Sequence, residues 1–313
     1  MDNSELAEIR QKHKPEVVEI AKRLNPIDDI MFMKLAEYRE LVEEVLRCFL
    51  SQPKLVITEH HPQHRLQNLK GRSAILDAWA KLNDDKNVLI EVQKAKKDNH
   101  QKRLLYDTAL LITNITEPGT QFQDVPNVIA IMIADFDIFG KGQPVYFIDR
   151  VIRGTGDVVE NGFLEVYVNA RCDDGSDIAK MMRIFIEDEA YDHRLFPELS
   201  ARKEQYKKTK EGFGTMCELV EEYNAKARAE GFEDGVAKGR AEGVIEGRAE
   251  GRAEGRAEGE AIGEARGVAI GEARSTLKMI QANLPLTNIV EYSTMSVSAI
   301  RDLAKQNNLQ LLE

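Results

Sequence analysis

Two carboxylates and an amide interrupt what otherwise reads as a core-forming pair of strands. The stretch SAILDAWAKLNDDKNVLIEVQ, residues 73–93, carries Asp77 in its first half and Glu91 and Gln93 in its second. Ile75, Asp77 and Trp79 alternate with Leu76, Ala78 and Ala80. Leu89, Glu91 and Gln93 alternate with Val88, Ile90 and Val92, the period of two that strands show. NDDKN, 83–87, has the composition of a turn. A turn centred near Asp84 sets Asp77 opposite Glu91, with Cβ atoms about 4.5–5.5 Å apart. Two acids side by side on a buried hairpin repel each other unless a cation joins them. Mg²⁺ suits such a pair, because it takes oxygen ligands and commonly uses one or two carboxylates with waters and a substrate phosphate. A metal held there would activate a water and stabilise a charged phosphoryl transition state. The competing reading is a charged edge strand that faces solvent and holds no ion.

Other chemistry is less well supported by the sequence. His60, His61 and His64 in TEHHPQHR have spacing compatible with a metal, but the stretch reads as a solvated loop following a strand at KLVI. There is no P-loop or GxGxxG, and the many tail glycines follow no strand. Cys48, Cys172 and Cys217 lie far apart and form no CxxC, as expected of free thiols in a cytoplasmic protein. The net charge of −10 argues against tight non-specific DNA binding, while leaving room for a local basic groove. No apolar run approaches the roughly 18–20 residues of a membrane span, so no membrane association is expected. The charged first residues lack the apolar segment of a secretory signal.

The elements that must position these residues divide the chain into four parts. Residues 1–25 read as an N-terminal helical arm. Residues 26–210 alternate helices and strands, as expected of an α/β domain. Within them, 25–53 forms one helix or two broken near Tyr38, 99–116 is helical, and 126–140 contains a strand buried on both faces. Residues 211–274 form a helical segment in which, from Gly231 to Gly271, glycine recurs at every fourth position. Glycine costs about 1 kcal/mol per residue in a helix. Arg248, Arg252 and Arg256 fall at i,i+4, as do Glu250, Glu254 and Glu258, so like charges are neighbours. A lone helix should therefore be marginal. A second chain could stabilise it, which makes 231–274 a candidate homo-oligomer interface, and a flexible spacer is the alternative. Residues 275–313 read as a small helical tail with a helix-turn-helix cadence, a second helix starting at Ser296 or Ser298.

The ordered features resemble the PD-(D/E)XK nuclease core, and in particular the Rpn-type recombination-promoting nucleases, also called PD-(D/E)XK nuclease family transposases. Pro26 and Asp29-Ile-Met-Phe32 match the opening of that branch, with Met33 where Lys usually falls. NVLIEVQ, QKRLLYDTALL and NVIAIMIADFDIF then follow in the family's order. The resemblance implies a restriction-endonuclease-like core, a mixed sheet flanked by helices, ahead of the glycine-periodic tail. It also implies a Mg²⁺-dependent (or Mn²⁺-dependent) DNA endonuclease linked to recombination or mobile elements. Asp77 and Glu91 would be metal ligands, with the Val92 carbonyl as a further one. Gln93 would orient the attacking water, although an amide is neither an ordinary base nor a positive charge. Asp29, rather than adjacent Asp28, would be the first-helix acid completing the catalytic set. Arg103 would contact a phosphate, or else form an ion pair at the core edge. Met33 and Gln93 also motivate an alternative, a catalytically weak or inactive DNA-binding or assembly protein that retains the nuclease fold.

Overall fold

A computed structural model describes residues 1–68, 73–96 and 99–313, with nothing said of the side chains of Asn3, Glu230, Glu233, Asp234 and Ala237. Two compact units result, residues 1–227 and 228–313.

In the first unit the N-terminal arm is two helices, α1 (Asn3–Lys12) and α2 (Pro15–Arg23). Pro15 cannot donate to the preceding turn, so it ends one helix and starts the next. The following apolar periodicity also splits, into α3 (Asp29–Leu35) and α4 (Arg39–Phe49), with extended Tyr38 between them. A six-stranded sheet follows, built from β1 (Ile57–Leu66), β2 (Ala74–Leu82), β3 (Asn87–Gln93), β4 (Val128–Ala134), β5 (Val145–Ile148) and β6 (Phe163–Asn169). The spatial order is β1-β2-β3-β4-β6-β5. β1 to β3 run antiparallel, β3, β4 and β6 are parallel, and β5 returns antiparallel at the far edge. Mixed pairing with helices on both faces is the architecture of the PD-(D/E)XK fold. α5 (His100–Ile115) packs on one face through Leu104 and Leu111, against Trp79, Leu89, Ala130 and Met132. α3, α4, α6 (Asp177–Ile186) and α7 (Pro197–Lys208) cover the other through Phe32, Leu46, Met182 and Leu199, against Val88, Ile90, Ile131 and Val166. β4, apolar on both faces, is buried along its whole length because both helix layers meet it.

The polar stretch TEHHPQHR is not a loop. It forms most of β1. β1 lies at the sheet edge, where a strand can carry polar side chains and tolerate Pro62.

Lys203 in α7 is fully buried. Its ammonium donates to the carbonyls of Ile184 and Ala190 at 2.9 and 3.3 Å, and to that of Glu187, satisfying acceptors at the end of α6 and just beyond it. Lys203→Met should leave these carbonyls without that donor and lower unfolding free energy by about 2–4 kcal/mol. Urea titration of both proteins checks this.

α8 (Lys210–Gln281) is one continuous 72-residue helix running through the glycine repeat, so the flexible-spacer alternative does not describe it. In the second unit, α9 (Leu286–Tyr292) and α10 (Val297–Gln306) bury Leu286, Ile289, Ile300 and Ala304 with Ile280 of α8. Ser296 caps α10, accepting from the Ala299 N–H. Among the described residues no helix is long and apolar enough to cross a membrane.

Candidate active site

The site lies where β2 and β3 part. The hairpin register pairs Ala78 with Ile90 and Lys81 with Asn87, a turn centred on Asp84 as the sequence implied. The backbone ladder stops at Ala78. Beyond it the Asp77 side chain substitutes for the strand, its Oδ2 accepting from the Val92 N–H at 2.8 Å. Within a strand a residue's N–H and C=O point to the same edge. The Val92 carbonyl is therefore directed to the side on which Asp77 sits. Alternation also breaks here: Leu76 and Trp79, of opposite parity, pack in the same cluster, and Ile75 is exposed. Ile75, Asp77 and Trp79 do not all share a face as strict alternation would require. In β1, Gln63 lies between Pro62 and His64, which pair with Ala78 and Leu76, and has φ 50°. Such a conformation is uncommon for a side chain other than glycine and marks a local distortion.

Glu91 is fully buried. Its Oε2 accepts from Arg103 Nη2 of α5 at 2.8 Å, while Oε1 has no hydrogen-bond partner among the described residues. Arg103 also reaches Asp107, one turn further along α5, at 3.6 Å from Nε. The guanidinium thus makes an ion pair with two acids, yet 39% of its side chain is exposed and can face a ligand. Asp29, the first residue of α3, is the acid on the site side: burial raises its pKa, Arg103 opposes that, and Asp28 adds to it. Asp28 itself is engaged by the Asn25 N–H at 2.9 Å and by Lys94 Nζ at 2.6 Å. Gln93 ends β3, half-buried, two residues beyond Glu91, and its carbonyl accepts from the Asp135 N–H.

These acids crowd one another. Burial above all pushes the Asp77 carboxyl up to about 7; the Val92 N–H and Arg103 pull it down, while Asp29 and Asp107 push it further up. Burial also holds Glu91 well above the ordinary carboxylate range, and the neighbouring Asp77 charge adds to this against Arg103. Burial tends to lower Arg103, but Glu91, Asp107, Asp77 and Asp29 outweigh it and strengthen its hold on its proton. Asp29, Asp77, Glu91 and Asp107 therefore share Arg103 as their common cation.

Two members of this constellation were not singled out from the sequence. Asp107 had a signal, its i,i+4 spacing from Arg103 on a helix. Lys94 had one only in its position directly after Gln93. The three histidines do not converge. His60 lies toward the Ala36 backbone, whereas His61 and His64 pack on Trp79.

Among the described residues, no three His, Cys, Asp or Glu side chains form a ready-made metal cage. Mg²⁺ seldom uses one. It retains waters and binds through one or two carboxylates plus substrate phosphate. The orphaned Glu91 Oε1, next to a second crowded carboxylate and an in-strand carbonyl, fits such an ion: all are hard oxygen donors in a site with surplus negative charge.

Residues 30–146, which run from α3 through the β2–β3 hairpin and α5 into β5, match the family model described as PD-(D/E)XK nuclease family transposase. The match makes this stretch similar to that family over somewhat more than a third of the chain. Comparison with curated proteins and with solved structures gives no significant match.

Proposed function

We propose that the protein is a Mg²⁺-dependent DNA endonuclease that hydrolyses phosphodiester bonds during recombination or mobile-element movement. The observation that carries this reading is the buried Oε1 of Glu91, unpartnered among the described residues, beside the crowded carboxyl of Asp77. Asp77, Glu91 and the Val92 carbonyl would hold the ion. When bound, the ion would supply a water of lowered pKa and neutralise charge on the scissile phosphate.

The chain's own groups do the rest. Asp77 and Glu91 would hold the ion in their ionised form, because ligation requires it. Arg103 stays charged and keeps Glu91 oriented through Nη2, while its exposed remaining donors face the phosphate. Gln93 orients the attacking water through its amide and leaves proton removal to bulk solvent or substrate. Asp29 contributes charge from the start of α3, through water. The cytoplasm is the compartment that fits its three separated free cysteines.

Supercoiled plasmid with Mg²⁺, or with Mn²⁺, tests the proposal. Wild type should nick it, and Glu91→Ala should be slower by about a thousandfold, the loss of several kcal/mol of transition-state stabilisation. Undiminished nicking by Glu91→Ala rejects the reading. A second reading, a DNA-binding or assembly protein with a weakened nuclease core, draws on Met33 and Gln93, where the related core more often has lysine. DNA retention with no cleavage in either ion would favour it. A homo-oligomer through 231–274 belongs with both readings. Light scattering of the full chain against one lacking that stretch decides whether the repeat assembles it.

A further inference from the structure

β1 carries an aromatic stack beside the catalytic acids that the nuclease chemistry leaves unused. The His61 ring lies flat on Trp79, with centroids 4.3 Å apart and planes 12° from parallel. His64 leans on both, at 4.7 Å from Trp79 and 5.4 Å from His61. Trp79 is fixed from below, its Nε1 donating to Asn87 Oδ1 at 3.1 Å. One face of His61 is thus committed to a rigid indole, and 42% of the side chain remains exposed on its outer side.

The position of this stack relates it to the site. His61 pairs with Trp79 across β1 and β2, and Trp79 is two residues from Asp77. At about 3.3 Å per residue that is roughly 6.6 Å along the strand, a span one nucleotide can bridge. The distorted Gln63 lies between Pro62 and His64, whose partners Ala78 and Leu76 flank Asp77, and exposed Arg65 follows on the same strand. Glu59 Oε2 lies 3.9 Å from His61 Nε2. A carboxylate at the ring edge disfavours a phosphate there and leaves the ring face as the contact surface. A planar, neutral or cationic heteroaromatic face suits a nucleobase, whichever base it is. A base inside a continuous duplex is stacked on its neighbours and cannot present its face.

Resting on the nuclease reading above, we propose that His61, stacked on Trp79, is a platform for an unstacked base next to the scissile phosphate. The protein would then prefer single-stranded or locally opened DNA to continuous duplex.

The test uses the full chain in Ca²⁺, to allow binding without turnover, and fluorescence anisotropy of a labelled oligothymidylate against a labelled duplex of equal length. Wild type should bind the single strand more tightly. His61→Ala should weaken that binding by about 5- to 150-fold, while changing duplex binding less than twofold. His61→Phe, which keeps a stacking face, should restore single-strand affinity to near wild type. Thermal melting of each variant confirms that the fold is kept. Unchanged single-strand affinity in His61→Ala, or a His61→Phe variant as weak as His61→Ala, overturns the platform. If wild type still nicks plasmid in Mg²⁺ with either result, only the platform falls. If wild type neither binds nor nicks any DNA, the nuclease reading falls with it.

Discussion

Asp77→Asn should abolish Mg²⁺-dependent nicking and at the same time make the metal-free protein more stable at pH 8. The two effects have one cause. Asp77 is placed where a negative charge is costly: buried, and close to Asp29 and Asp107. Its pKa near 7 means that the fold favours the protonated form. A carboxyl raised in the folded state makes the native protein bind more protons than the unfolded chain between pH 4 and 7. Stability therefore falls as pH rises through that window and stays low above it. Asparagine removes the charge yet keeps an oxygen to accept from the Val92 N–H, so the strand junction survives. The melting temperature in EDTA should rise by about 2–4 °C at pH 8, what roughly 1 kcal/mol gives in a domain of this size, and by less at pH 5. Nicking should fall by about a hundredfold or more, because a neutral amide is a poor ligand for a hard dication. An Asp77→Asn protein that melts lower than wild type at pH 8, or that still nicks fully, contradicts the placement of that charge. Functional sites commonly impose such a stability cost.

The same hairpin shows what could and could not be read from the chain. Turn chemistry at NDDKN and alternation in NVLIEVQ locate β3 and its register with β2, because both signals are local. β1 escaped because an edge strand bearing histidines, a glutamine and a proline has no apolar period to detect. Its strand character comes from pairing with β2, a non-local cause. The break in alternation at Asp77 escaped for a related reason: side-chain capture of the Val92 N–H replaces a ladder bond, and nothing in a period-two pattern anticipates that. Arg103 and Asp107 were visible as residues, but their meeting with Glu91 depends on how α5 lies across the sheet. The glycine repeat is the converse case. Intrinsic propensity and like-charge spacing both argue against a stable helix, and α8 is nevertheless continuous through it. Its glycines would meet nothing within 4 Å if given a Cβ from Gly231 to Gly271, so close packing inside the chain does not explain them.

Cation affinity should climb steeply with pH between 6 and 8, and the climb should become shallower without Asp77. Burial and like charge hold protons on Asp77 and Glu91 in the metal-free protein. An incoming Mg²⁺ or Mn²⁺ must displace them, so binding and protonation compete. With Asp77 titrating near 7, that group alone should make the apparent dissociation constant about tenfold smaller at pH 8 than at pH 6. The proton on Glu91, which burial and the neighbouring Asp77 charge also favour, steepens the dependence further. Calorimetry with Mn²⁺ at both values, repeated in buffers of different ionisation enthalpy, reads the affinity and the protons released together. Asp77→Asn should bind more weakly and show a shallower dependence, leaving only the Glu91 contribution. A flat affinity with no proton release would mean that the ion, if it binds, does so away from these carboxylates. The direction separates this site from an ordinary exposed acidic cluster, whose carboxylates are already ionised at pH 6 and release no protons when a cation arrives.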